Sequence, residues 1–316
     1  MRELDSKRGK RTQNLVAESR LTLPVVIVWA VAVWIACGLL SKQLWMQFAC
    51  FGVSSFLMMV LNNVNVLIRI YSRMVSCSFL VLSCAACFLF DSMGDGIVQL
   101  CIIASYLTLF RTYQDNRSVG WTFYAFLSLG IGSVVFPQML LFVPLLWILM
   151  AVCVISFSPR TFMSSLLGLL TPYWLVLVWL LYEGNVSWLG AHFLSVVRFT
   201  TPFDLSGIGI HQWLTFAFVL VAALTGAIHF ILYSYQDRIR IRLIYEMFMT
   251  IDGFCFLLAL VQPQFFDCLM GMAIVLTAPL IGHFLALTHS RLSGIAFIVF
   301  AVAALGLTIF NITLAP

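Results

Sequence analysis

Four groups of polar residues in this chain have the types and spacing to do chemistry. Asp91 and Asp95 share the short segment Asp91-Ser92-Met93-Gly94-Asp95-Gly96. Two carboxylates four residues apart could act as a catalytic base or hold a divalent cation. The same residues are also turn formers, with Asp and Gly serving the backbone. A second group, Asn62, Asn63, Asn65, Arg69 and Arg73, closes an apolar run. Arg69 and Arg73 share a face if the helix continues, and would then grip an anionic headgroup or phosphate. They also serve as plain interfacial anchors. A third group consists of His229, Glu246 and His283, each about one turn inside the end of an apolar run, with Asp252 about two turns deeper. Ionisable residues at such depth are costly and suggest a proton relay, although side chains one turn inside can also reach the interface. The fourth group is His192 and Arg198, on the one sizeable loop. Asp91, Asp95 and these two could face a single substrate cavity.

Other chemistries have no footing. There is no phosphate-cradling glycine loop, zinc-ligand spacing, HExxH or GxSxG. No cofactor is evident beyond a divalent cation at Asp91 and Asp95. Nine cysteines form no loop framework, so no disulfides are expected. Cys84-Ala85-Ala86-Cys87 has redox spacing but lies within an apolar run, where cysteine is a packing residue.

The elements that must carry these groups are membrane helices. Of 316 residues, 62% are hydrophobic and 9% charged, with a mean hydropathy of +1.05. Soluble domains carry about 25% charged residues, so lipid must be the solvent for most of this chain. The net charge of +5 is spread over short loops and does not indicate nucleic acid. The partners expected are the bilayer, a lipid-linked substrate or other membrane proteins. Each long run meets the roughly 20 residues needed to cross, and backbone in lipid must be bonded internally. The fold class expected is therefore all-α, a polytopic bundle of about eleven spans. These are Thr22–Leu40, Leu44–Leu61, Met74–Phe90, Ile97–Phe110, Val119–Val135, Met139–Phe157, Thr161–Tyr182, His211–Tyr233, Leu243–Val261, Phe266–Ala286 and Ser293–Asn311. Residues 1–21 form a polar tail, 22–182 hold seven spans, 183–210 a loop with an interfacial helix near Trp188–Phe199, and 211–316 the last four spans. Pro144, Pro172 and Pro279 are expected to kink their spans. Gly130-Ile131-Gly132 and Ser164 to Gly168 are expected to serve close helix packing.

Charge sets the orientation. With the N-terminus in the cytoplasm, fifteen of the 17 Lys and Arg fall on the inner side, leaving Lys42 and Arg198 outside. That bias predicts a cytoplasmic N-terminus and a C-terminus outside.

From Tyr124 to Thr171 the order is Gly130 and Gly132, Phe136-Pro137-Gln138, Met139 to Pro144-Leu145-Leu146, Arg160 and Gly168. Together with the preceding Leu107-Thr108-Leu109-Phe110-Arg111, this resembles a middle segment of the C superfamily of glycosyltransferases, which use polyprenyl-phosphate sugars. The resemblance implies a carboxylate base in the first large outer loop. Here the first outer loop, Ser41-Lys42-Gln43, has no acid, so Asp91 or Asp95, one outer loop later, would substitute. The whole chain more closely resembles an uncharacterised family of bacterial multi-pass inner-membrane proteins. Asn62-Asn63 to Arg69, Leu109-Phe110-Arg111-Thr112-Tyr113 and the Gly-Ile-Gly to Phe-Pro-Gln stretch carry that likeness. It implies location and topology but no reaction. Three roles are thus open: lipid-linked sugar or envelope-glycan metabolism on a glycosyltransferase-like bundle, transport or flipping through the intramembrane His, Glu and Asp, or a scaffold using a small-residue face.

Overall fold

The structure, a computed structural model, describes residues 12–198, 207–288 and 291–314. Residues 1–11 of the expected tail and 199–206 of the expected loop lie outside the described residues. Among the described residues the chain is all-helical. The helices are α1 (Thr12–Glu18), α2 (Thr22–Ala36), α3 (Trp45–Asn65), α4 (Met74–Ala85), α5 (Met93–Leu109), α6 (Val119–Val135) and α7 (Phe142–Leu149). They continue as α8 (Pro159–Glu183), α9 (Ser187–Val197), α10 (Ile210–Tyr233), α11 (Ile239–Val261), α12 (Phe266–Leu287) and α13 (Arg291–Leu314). Eight segments are long and apolar enough to cross a membrane, and the chain is read as a membrane protein. Three other expected spans are shorter, α2 with 15 residues, α4 with 12 and α6 with 17. At 1.5 Å per residue α4 reaches about 18 Å before the chain tightens into a 3-10 turn at Cys87–Asp91.

The bundle is built around α12. In its most apolar 18-residue window 89% of residues are buried, against 17% in α13 and 22% in α3. A helix that is apolar on every side belongs inside, and α12 packs against α4, α5, α10 and α11. Close approach is set by small residues. A Cβ on Gly226 of α10 would sit 2.5 Å from the Leu280 backbone of α12. Likewise, a Cβ on Gly168 of α8 would sit 2.5 Å from the Phe123 carbonyl of α6. Ser164 donates to the Val119 carbonyl at 2.6 Å in the same seam. The small-residue face expected of a scaffold is therefore used inside the bundle.

The starts of α5 and α8 follow from sequence. Ser92 accepts from the Asp95 N–H at 3.3 Å, which caps α5. Ser158 and Thr161 form a reciprocal capping box, with Pro159 at the first position of α8. One expected span is not regular. Residues 139–157 run through a 3-10 turn at Pro137–Leu141, then α7, then a π turn at Met150–Val154. This segment ends at Ile155 with φ +55°, a left-handed conformation that is strained for a β-branched residue. Pro172 and Pro279 lie within helices, whereas Pro144 falls in the first turn of α7.

Candidate functional site

The arginine-rich end of the bundle holds a cavity of about 350 Å³ lined by charged, polar and apolar side chains. Three segments build it. His229 sits in the last turns of α10, which ends at Tyr233 and passes through the 3-10 turn Ser234–Gln236 to Asp237. His283 sits about one turn before the end of α12. Arg69 comes from the irregular stretch between α3 and α4, where Val66 at φ +52° stops α3. The helix does not continue through Arg69, so Arg69 and Arg73 do not share a helical face as expected. Arg69 lines the cavity, while Arg73 occupies the N-cap of α4.

That irregular stretch is held by buried polar bonds. The Asn62 amide donates to the Ser72 carbonyl at 2.9 Å. Arg240 of α11 donates to the Asn65 amide oxygen at 3.0 Å and to the Phe110 carbonyl at 2.9 Å. Its guanidinium also lies over the Tyr113 ring at 5.5 Å. The asparagines expected at an anion grip are thus structural ties that set where Arg69 stands.

The cavity wall holds a buried histidine–carboxylate pair beside a second histidine. His283 Nε2 lies 3.1 Å from Asp237 Oδ2, with side chains 1% and 4% exposed. The His229 and His283 rings are 5.5 Å apart, and Tyr233 lies against His229 at 4.9 Å. Each histidine keeps a buried Nδ1 without a protein hydrogen-bond partner. Gln236, Leu287 and Thr288 complete the wall. Asp237 is already paired with His283, so an incoming group meets the Arg69 guanidinium and the His229 imidazole. Such a site suits an anion rather than a cation.

The other expected groups are placed apart. Asp91 is exposed and pairs with Lys42 at 3.1 Å. Asp95 is 7% exposed, next to the Cys268 thiol and within electrostatic reach of Asp267. Gln212 donates to Asp267 at 2.8 Å. The two aspartates therefore differ in surroundings, and their spacing reflects the cap of α5. Among the described residues no group of three or more His, Cys, Asp or Glu is placed to hold a metal ion. His192 is buried within α9, stacked on Trp188 at 4.6 Å and bonded to the Ser133 carbonyl at 3.1 Å. It seats α9 on the bundle rather than facing a cavity. Arg198 is exposed, and its backbone carbonyl accepts from Gln264 at 3.3 Å. Of the expected relay, His229 and His283 meet. Asp252 is buried elsewhere, accepting from Thr277 at 2.9 Å. Glu246 is exposed on another face of α11 and lies near Cys153.

No family model matches the chain, and no curated protein or solved structure does either. Interpretation rests on the site itself. Its key member, Asp237, was not singled out by sequence reading. Its signal is position: it is the acid just ahead of Arg238, Arg240 and Arg242, where a lone carboxylate among cations calls for a specific partner.

Proposed function

We propose that the chain is an inner-membrane protein that binds the phosphate-bearing headgroup of a lipid-linked substrate in the Arg69–His229–His283 cavity. The observation that supports this reading is the cavity wall: Arg69 and the buried His229 imidazole, with Asp237, the one carboxylate among the described lining residues, already paired with His283. A phosphate accepts several hydrogen bonds and favours such a donor set. In this reading the chain crosses eleven times, starts in the cytoplasm and ends outside, which puts the cavity at the cytoplasmic surface. The likeness to polyprenyl-phosphate-dependent glycosyltransferases supports a polyprenyl carrier and a place in envelope-glycan metabolism.

Binding or movement of the carrier is favoured over sugar transfer. Asp91 is held by Lys42, Asp95 is buried apart, and Arg198 projects from α9. These groups do not form the joint carboxylate and cation site that transfer on the outer side requires. The test compares binding of polyprenyl phosphate with that of the uncharged polyprenol, using purified protein in nanodiscs. Polyprenyl phosphate binds and polyprenol does not. In Arg69→Gln the affinity for the phosphate falls about tenfold or more, the loss of one charged hydrogen bond at roughly 1.5–3 kcal/mol. Equal binding of the alcohol, or an unaffected Arg69→Gln, refutes the proposal.

A further inference from the structure

A second cavity, of about 340 Å³, lies between α2, α4 and α13. α4 packs against both of the other helices, while α1 lies on α12 and α13 and brings Val16 to the cavity. Each of the three main helices lines it with residues three and four apart over two turns: Thr22 to Trp29, Met74 to Val81, and Phe297 to Leu305. That spacing keeps one side of each helix turned to the same space. Seven steps of helix rise about 10 Å, so the cavity is a slot along the helix axes, the direction in which bilayer chains run. Thr22 and Met74 open their helices. Leu285 of α12, also in the lining, stands two residues beyond His283. The mouth of the slot is therefore at the arginine-rich end.

The surface facing the slot is apolar throughout. The Thr22 hydroxyl is turned away into a bond that it donates to the Val16 carbonyl. A trapped water needs about two to four polar partners, and this surface offers none. Left dry, the slot would forfeit the dispersion contacts of its walls. Its volume is more than twice that of an apolar cavity of about 150 Å³ that takes up benzene. In a bilayer the filler at hand is a hydrocarbon chain. The mouth is charged. Arg20 lies two residues before Thr22, and Arg73 directly before Met74. Glu18 is the one Asp or Glu equally near a lining residue.

We propose that the slot takes one acyl chain of an anionic phospholipid of the surrounding bilayer, with the lipid phosphate at Arg20 and Arg73. Two guanidinium groups against one carboxylate leave the mouth net positive, and arginines beside the membrane draw anionic headgroups. The chain fills the seam between α2 and α13. α2 is then held by its packing on α4 and by the lipid together. This site is separate from the Arg69 cavity and does not rest on the polyprenyl-phosphate reading.

The test uses the full chain in detergent micelles with one equivalent of phosphatidylglycerol that carries a photoreactive diazirine on one acyl chain. Labelled peptides are mapped, and retained lipid is weighed by native mass spectrometry. Labelling concentrates in residues 22–29, 74–81 and 297–305. Ala301→Phe, which puts a ring into the slot, cuts that labelling severalfold. Val25→Trp does the same from a position 65% exposed, where added bulk leaves the fold intact, so the result does not hang on one variant. Arg20→Gln combined with Arg73→Gln lowers retention of phosphatidylglycerol to that of phosphatidylcholine. Four results each overturn the proposal: labelling spread over α3 and α8, filling variants that label like wild type, equal retention of the two phospholipids by wild type, or displacement of the label by one equivalent of polyprenol.

Discussion

Asp237→Asn removes the charge that holds His283 while keeping the shape of the side chain. The pair spans 3.1 Å, and both side chains are almost fully out of solvent. Breaking a buried ion pair by removing one partner costs about 3–5 kcal/mol, because the other is left uncompensated. The amide can still accept a hydrogen bond from the imidazole, so the loss for Asn should lie near the lower end, about 2–3 kcal/mol. Asp237→Ala leaves no acceptor and should lose about 3–5 kcal/mol. His283→Gln alone should cost a similar amount. The double variant should lose less than the sum, with a coupling of about 1–3 kcal/mol expected of contacting groups. The assay is equilibrium unfolding in mixed detergent micelles across the four proteins. The loss should be local as well, since Asp237 also donates its N–H to the Ser234 carbonyl at 2.9 Å and accepts from Arg242 at 3.1 Å. Backbone exchange in residues 233–242 should accelerate first. Single variants within about 0.5 kcal/mol of wild type, the range of ordinary surface changes, with additive double-variant energies, would refute the reasoning.

Three further outcomes follow from the packing. Gly168→Leu should separate α6 from α8, because its Cβ alone would sit 2.5 Å from the Phe123 carbonyl; a loss beyond about 3 kcal/mol in detergent unfolding is expected from overpacking against backbone, while Gly120→Leu, with open space around its Cβ site, should be mild. Thr277→Val should cost about 1–3 kcal/mol by leaving the buried Asp252 carboxyl without its donor, whereas Asp252→Asn should be tolerated if this pair is structural; loss of phosphate-lipid handling in Asp252→Asn with stability intact would show otherwise. Burial pushes the His192 imidazole below its ordinary value, against the opposing pull of the Ser133 carbonyl. Released α9 therefore binds protons more readily than seated α9, so seating is complete above the ordinary histidine value of about 6.5 and weakens as pH falls through the lowered one; Trp188 fluorescence and exchange in α9 should report that loosening on acidification, and His192→Gln should abolish its pH dependence.

What could be read from sequence followed the physics of burial. The apolar runs marked the helices, and glycines 130 and 168 marked one close seam, because small residues in lipid let helix backbones approach. What escaped depended on where irregular backbone turns. Val66 and Ile155 hold positive φ values, which no propensity assigns to β-branched residues, so the extension of α3 to Arg69 and the regular span over 139–157 did not materialise. Glu246 had a legible warning. It lies six residues from Asp252, about 240° around a helix at 100° per residue, so the two could not share a face. His229 and His283 were visible as buried titratable groups, whereas their carboxylate partner was hidden in a loop. The pairing of Asp91 with Lys42 and the cap that buries the start of α5 needed tertiary contacts that spacing alone does not encode.

The central claim is that phosphate sits at the arginine-rich cavity. Its most direct test is photo-cross-linking with a polyprenyl phosphate that carries a photoreactive group beside the phosphate, followed by peptide mapping. Labelling concentrated in residues 66–73, 229–237 and 283–288, lost in Arg69→Gln, is the predicted result. Labelling at residues 91–95 or 192–198, or labelling indifferent to Arg69, would contradict the account.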